Sequence, residues 1–294
     1  MSAVAPPYIG AMSPHAAPAK EFVQGRLSIC PTPIGNLQDV TLRVLEVLTD
    51  ADVVACEDTR HTRLLLERHG VIARELASLH EHNEHARVGE LLRRMRAGAV
   101  VALVSDAGMP LVSDPGFVLV REALAAGIAV ETLPGPSAVL VALLASGLPC
   151  DRWRFVGFLP RRRAEIEQLL GQTSETLVAF ESPRRLPATL DALAALDPQR
   201  PAAVCRELTK LHEEVRRGSA AELSEYYRVQ PPRGEIALVV GAGEAAAVED
   251  ARRAEAVAAL RTLVDAGARG RPAARVVAGL TGVGANELYR RLTE

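Results

Sequence analysis

The sequence predicts an α/β protein of two α/β domains, the first on a five-stranded, mostly parallel sheet and the second on a mixed sheet, with a small helical module at the C-terminus. Three observations carry this expectation. Short apolar runs rich in Val, Ile and Leu recur without apolar/polar alternation, the pattern of strands covered on both faces. Each run stops at a polar, Gly/Pro-rich segment and is followed by a helical stretch, the strand–turn–helix order of a doubly wound sheet. At 294 residues, 48% hydrophobic and 24% charged, the chain has material for about two cores.

In chain order, residues 1–25 carry four prolines among Ala, Ser and Gly and read as a disordered tail outside the fold. Residues 27–30 form a first strand ending in Pro31-Thr32-Pro33-Ile34-Gly35-Asn36, then a helix over 41–48 capped by Asp39 or Thr41. The strand 51–56 delivers Glu57-Asp58-Thr59-Arg60 at its carboxyl end, and the next helix stops at Gly70. A strand over 75–80 ends in His80-Glu81-His82-Asn83-Glu84-His85, before a helix over 87–97. The strand 99–104 stops at Ser105-Asp106-Ala107-Gly108-Met109-Pro110, and Asp114 with Pro115 reads as N-cap and first residue of a helix reaching Ala126. The strand 128–133 ends in Pro134-Gly135-Pro136-Ser137, before an apolar helix over 138–146.

These elements define an N-terminal domain over 26–148, a second over 149–243 and a helical module over 244–294. In the second domain, strands over 154–159, 176–180, 202–205 and 236–240 alternate with helices, and some connections are short enough for antiparallel returns. Right-handed crossovers put the five loops of the first domain on one sheet edge, outside the carboxyl ends of the strands, where ligands bind in such sheets.

Several chemistries are unsupported. No Walker loop, Rossmann glycine fingerprint or GxSxG elbow is present. The HEHNEH run lacks the HExxH spacing of a helical metal site, so no metal is expected. Four scattered cysteines without a CxxC pair fit a reducing, cytoplasmic setting, and no apolar run is long enough to span a bilayer. The net charge of −2 excludes a bulk basic field, so a polyanion would meet local patches: Arg161-Arg162-Arg163, Arg184-Arg185, or the module beyond Asp250 with eight arginines against five acids. Each patch reads equally well as a solvated face. Glu57-Asp58, at a strand end, could supply a general base or simply favour a helix N-terminus.

Ten motifs then stand in order: TPIGNL (32–37), EDTRHT (57–62), HEHNE (80–84), SDAGMPLVSDPG (105–116), LPGPSA (133–138), SGLP (146–149), GFLPRR (157–162), ESPRR (181–185), RELTK (206–210) and GE (234–235). With them the chain resembles the bacterial small-subunit ribosomal RNA cytidine 2′-O-methyltransferases of the tetrapyrrole-methylase superfamily, class III S-adenosylmethionine-dependent enzymes, over about residues 26–243. The resemblance implies a homodimer with S-adenosyl-L-methionine in a cleft between the two α/β domains. It implies methyl transfer to the ribose 2′-hydroxyl of a decoding-centre cytidine in 16S ribosomal RNA, free or in the assembled small subunit. Carried over motif by motif, the cofactor would meet Pro33, Ile34, Gly35, Asp106, Ala107, Gly108, Met109, Pro110, Gly135, Pro136, Ser137, Gly157, Phe158, Leu159, Phe180 and Glu181. The hydroxyl proton calls for a base or orienting group, for which Glu57, Asp58 and Lys210 are candidates. RNA contacts would fall on Arg60, Arg161, Arg162, Arg163, Arg184 and Arg185. Met109, Phe180 and Arg184 stand where the family usually has Thr, Tyr and His. A C-methyltransferase of the same superfamily acting on a tetrapyrrole precursor, and a non-catalytic ribosome-associated RNA-binding protein, are the alternatives.

Overall fold

The computed structural model describes residues 25–80 and 83–293. Most of the expected tail, together with Glu81 and His82 of the HEHNEH run, lies outside the described residues. The chain forms two compact units that exchange segments: residues 25–31, Thr41–Asp106 and Asp114–Pro134 in one, Thr32–Val40, Ala107–Ser113 and residues 135–293 in the other.

The first unit is a five-stranded parallel sheet of β1 (Arg26–Cys30), β2 (Val53–Cys56), β3 (Leu76–Ser78), β4 (Val100–Val104) and β5 (Ala129–Thr132), in the order β3-β2-β4-β1-β5. Val53, Val54, Ala55 and Cys56 are wholly buried, which explains why β2 reads as one continuous apolar run. Helices α1 (Leu42–Asp50), α2 (Thr59–Arg68), α3 (Glu84–Arg96) and α4 (Phe117–Ala125) connect the strands. Thr41 caps α1, its hydroxyl accepting from Val44 N–H.

Two helix starts differ from expectation. The third helix begins at Glu84 rather than near 87, because Asn83 and Glu84 of the HEHNEH run already turn into it. The fourth begins after Gly116, and neither Asp114 nor Pro115 caps it. Gly116 is left-handed at φ 114°, and the free N–H groups of the first turn are met from another helix. The Glu84 carboxylate accepts from Gly116, Val118 and Leu119 N–H at 3.1, 3.0 and 3.4 Å.

The second unit holds α5 (Ala138–Ser146), β6 (Trp153–Phe158), α6 (Arg163–Gly171), β7 (Thr176–Glu181), α7 (Leu186–Leu196), β8 (Pro201–Arg206), β9 (Glu214–Ser219), α8 (Ala220–Val229) and β10 (Ile236–Val240). Its sheet runs β6-β7-β10-β8-β9, with β6 parallel to β7 and the other pairs antiparallel. Side chains alternate across it with the two-residue strand period. Val178, Ala203, Cys205, Ala237 and Val239 face α5, whereas Leu177, Ala179, Val204, Leu238 and Val240 enter the core of α6, α7 and α8. The helix over 138–146, read from sequence with the first domain, therefore has its apolar surface on the second sheet. The edge strand β9 has no counterpart in the sequence reading, since EVRRGS lacks an apolar face.

Helices α9 (Glu244–Asp265), α10 (Gly270–Thr281) and α11 (Ala285–Thr293) close the chain around a core of their own, with Leu260, Ala274, Val277 and Leu288 buried. Among the described residues no helix is long and apolar enough to cross a membrane.

Candidate functional site

The loop after β4 shows the least ordinary backbone of the second unit. Gly108 sits at φ 80°, and Leu111 and Ser113 are left-handed at 74° and 67°. For non-glycine residues this conformation costs on the order of 1–3 kcal/mol each, a strain that clusters at ligand clamps. A two-way bridge holds the loop: Thr32 N–H donates to Gly108 O at 2.9 Å, and Gly108 N–H donates to Thr32 O at 3.0 Å. A Cβ added at Gly108 would lie 3.2 Å from Ile34 Cγ2 and 3.6 Å from the Pro136 carbonyl. The first loop, the SDAGMP loop and the PGPS loop thus converge at Gly108.

The RELTK segment joins the same cluster. A Cβ at Gly35 would meet Lys210 Cγ at 2.4 Å, Thr209 Oγ1 at 2.8 Å and Leu208 O at 3.0 Å, so only glycine permits the approach. Asn36 N–H donates to Thr209 Oγ1 at 3.0 Å. Glu207 and Thr209 are again left-handed at φ 50° and 66°. Gly157, at φ 66° in an irregularity of β6, would place a Cβ 3.9 Å from Ser113 Oγ. Among the sequence-nominated cofactor residues, Pro33, Ile34, Gly35, Ala107, Gly108, Met109, Pro110, Gly135, Pro136, Ser137 and Gly157 thus lie on this group of loops. Ser137 also caps α5, accepting from Leu140 N–H at 3.4 Å. Phe158 is 61% exposed, its ring centroid 5.7 Å from that of Phe180, and Leu159 is buried.

Glu181 is turned into the fold. Its carboxylate accepts from Ser182 N–H at 2.7 Å, Thr189 Oγ1–H at 2.7 Å and Arg185 at 3.1 Å. Arg185 also donates to the carbonyls of Leu159 and Pro160 at 2.8 and 2.6 Å. The pair latches the GFLP segment from beneath, while Arg161, Arg162, Arg163 and Arg184 are exposed, Arg162 and Arg163 pairing with Glu165 and Glu167.

The three nominated proton acceptors have different surroundings. Lys210 Nζ lies 2.9 Å from Glu207 and 2.8 Å from Glu235. Burial opposes its charge, but those two carboxylates prevail and hold the ammonium above its ordinary range, so Lys210 is a fixed cation at neutral pH. Asp58 caps α2 by accepting from Arg60 N–H at 2.8 Å, and also binds the Arg60 guanidinium. Hydrogen bonds from Arg60 side chain and backbone hold this carboxyl well below the usual range. Glu57 is exposed at the end of β2.

The first unit holds two further features that the sequence reading did not nominate. Asp114 is pushed up to about 6, first by burial and then by the carboxylates of Glu57 and Asp106. Asp106, in the same unit, accepts from Asp58 N–H through Oδ1 at 3.1 Å and faces His61 Nδ1 through Oδ2 at 3.3 Å. The motifs EDTRHT and SDAG carried these residues, but no local signal shows that they meet.

The tetrapyrrole (corrin/porphyrin) methylase family model matches residues 26–224. A ribosomal RNA small subunit methyltransferase I of Mesorhizobium japonicum is 47% identical over 274 residues, covering 91% of each chain. That of Micromonospora olivasterospora is 47% identical over 280 residues, covering 93% of this chain and 88% of the relative. Among solved structures, uroporphyrin-III C-methyltransferase from Thermus thermophilus is similar, with a TM-score of 0.54 at 25% identity over 74% of this chain and 94% of that one. A shared fold, a family model spanning both sheets and curated relatives matched nearly end to end agree: the chain belongs to the tetrapyrrole (corrin/porphyrin) methylase family.

Proposed function

We propose that the protein transfers a methyl group from S-adenosylmethionine to the ribose 2′-hydroxyl of a decoding-centre cytidine in 16S ribosomal RNA. The observation that carries this reading is the cluster of loops at Gly108, strained at Leu111 and Ser113 and kept free of side chains at Gly35 and Gly108. Such a cradle suits a ligand with an adenine, a ribose and an amino-acid tail, because backbone N–H and C=O groups can approach it closely. Similarity to rRNA small subunit methyltransferase I proteins supports the RNA substrate.

Residues 33–35, 107–110 and 135–137 would hold the cofactor, with Gly157, Phe158, Leu159 and Phe180 beside them. When bound, S-adenosylmethionine supplies an electrophilic methyl carbon and a neutral thioether leaving group. The protein's task is then alignment, which alone removes several kcal/mol of barrier, plus an acceptor for the hydroxyl proton. Glu181 acts through Arg185 by fixing the backbone of residues 159 and 160. Lys210 serves as a fixed positive charge. Arg60, Arg161, Arg162, Arg163 and Arg184 offer guanidinium groups to RNA phosphates. In this reading two copies of the chain form the working enzyme in the cytoplasm, and light scattering gives the mass that decides it.

Calorimetric titration with S-adenosylmethionine, then incubation with methyl-labelled cofactor and either assembled small subunits or naked 16S RNA, tests the whole. Saturable binding and label on one cytidine ribose are expected. No binding, or label on a base carbon or a porphyrin, overturns the assignment.

A further inference from the structure

The proton that leaves the ribose hydroxyl needs an acceptor, and two of the three nominated groups are already committed in the structure. Asp58 is tied to Arg60 and to the first turn of α2, and Lys210 is a doubly paired ammonium. His61 is differently placed. It sits in the first turn of α2, with Nδ1 3.3 Å from Asp106 Oδ2. The other oxygen of Asp106 is occupied by the backbone N–H of Asp58 at 3.1 Å, so the carboxylate cannot turn away. The imidazole is 67% exposed, whereas Asp106 is 30% exposed: one ring nitrogen is held at the protein and the rest of the ring faces outward. A buried-side carboxylate on Nδ1 fixes the tautomer that leaves Nε2 as the lone-pair nitrogen. Asp106 is bonded in the chain to Ala107, where the proposed cofactor loop begins.

We propose that His61 is the catalytic base of the methyl transfer and Asp106 the positioning residue that sets its tautomer. This rests on the reading of the protein as a ribose 2′-O-methyltransferase. In the step, the ribose oxygen forms its bond to the methyl carbon while the carbon–sulfur bond breaks and its electron pair stays on sulfur. The hydroxyl proton passes to Nε2 of His61, the imidazolium is stabilised by Asp106, and the proton then leaves to solvent. The charged groups around the ring are Asp58 and Arg60 on α2, Glu57 at the end of β2, and Asp106 and Asp114 flanking the loop after β4. Carboxylates outnumber the one guanidinium, a balance that favours the imidazolium formed in the step.

Two measurements test this. Nitrogen-15 NMR of the full chain without ligand reads the tautomer directly, with His61→Gln assigning the signal. The Nδ1-protonated form is expected. In Asp106→Asn the amide oxygen must still meet Asp58 N–H, so its NH2 faces Nδ1 and the ring is expected to switch to the Nε2-protonated form. An Nε2-protonated ring in the parent protein overturns the proposal. The second measurement is single-turnover methylation of small subunits against pH. The parent rate should rise with pH to a plateau as His61 loses its proton. His61→Gln and His61→Ala should lose about 100-fold or more and with it that limb, while calorimetric affinity for S-adenosylmethionine stays within about two-fold; free imidazole should restore part of the His61→Ala rate. A His61→Gln enzyme with the parent rate and profile, or one changed only in KM for RNA, overturns the proposal and leaves the methyltransferase reading standing. A parent protein that methylates no ribose overturns that reading instead.

Discussion

Asp114 is held in a site that disfavours its own charge, half-buried and within the field of Glu57 and Asp106. Its folded value of about 6 lies above the roughly 3.9 of an unfolded aspartate. The folded state therefore keeps its proton where the unfolded state has lost it. The stabilising contribution is complete below about pH 4, falls as pH rises, and is gone above about 6. Asp114→Asn should accordingly raise Tm by a few degrees at pH 7.5, a gain on the order of 1 kcal/mol after allowance for partial exposure, and leave it nearly unchanged at pH 4. Thermal melts at the two pH values check this. At Gly35, by contrast, the constraint is space. Gly35→Ala drives a methyl against Leu208 O and Thr209, so calorimetry should show at least about a ten-fold loss of S-adenosylmethionine affinity, alongside a stability cost of about 1–3 kcal/mol. The residue types of both loops are legible in the sequence, because Gly and Pro after an apolar run carry a local meaning. The proton held by Asp114 and the His61–Asp106 pair are not legible, since burial and field come from residues far along the chain.

Among elements, α4 depends most clearly on another helix for its start. Its first turn has no side-chain cap of its own, and Glu84 of α3 supplies one carboxylate to three N–H groups. Glu84→Ala should cost about 1–3 kcal/mol, the desolvation penalty of donors left unmet, read as a lower urea midpoint with little change in slope. Glu84→Gln, which keeps an acceptor oxygen, should lose less. The strands were legible wherever both faces are covered, as in β2, β4 and β10, because burial on both sides leaves a continuous apolar run. The edge strand β9 was hidden for the opposite reason: Arg216 and Arg217 lie in a strand paired on one side with β8. The start of α4 was misplaced because Asp114 and Pro115 are common cap residues, whereas a cap reaching across from α3 leaves no trace near residue 116.

On the scale of the whole molecule, a net charge of −2 leaves RNA affinity to patches. Replacing Arg161, Arg162 and Arg163 together by Ala should weaken RNA binding and flatten the slope of log K against log salt by about two to three phosphate contacts; filter binding across a salt series measures it. The module of α9, α10 and α11 has a separate core, and every proposed cofactor residue precedes it. A chain ending at Gly243 should therefore bind S-adenosylmethionine with the parent affinity in calorimetry. The order of strands and helices in both sheets followed from the sequence, because each depends on local period and punctuation. Which segments join which compact unit did not, because residues 32–40 and 107–113 leave the strands that precede them for partners elsewhere in the chain.

The hydrogen bond from Asn36 to Thr209 spans 173 residues of sequence. At ordinary translation rates that interval is roughly ten to thirty seconds. A nascent chain can complete its first parallel sheet in that time, yet its TPIGN loop must wait for RELTK to leave the ribosome. Prematurely ended chains would carry every residue of the SDAGMP and PGPS loops and still lack the wall they rest against. Methyl-donor capture thus becomes a late event in biosynthesis, reserved for chains whose second sheet has been made.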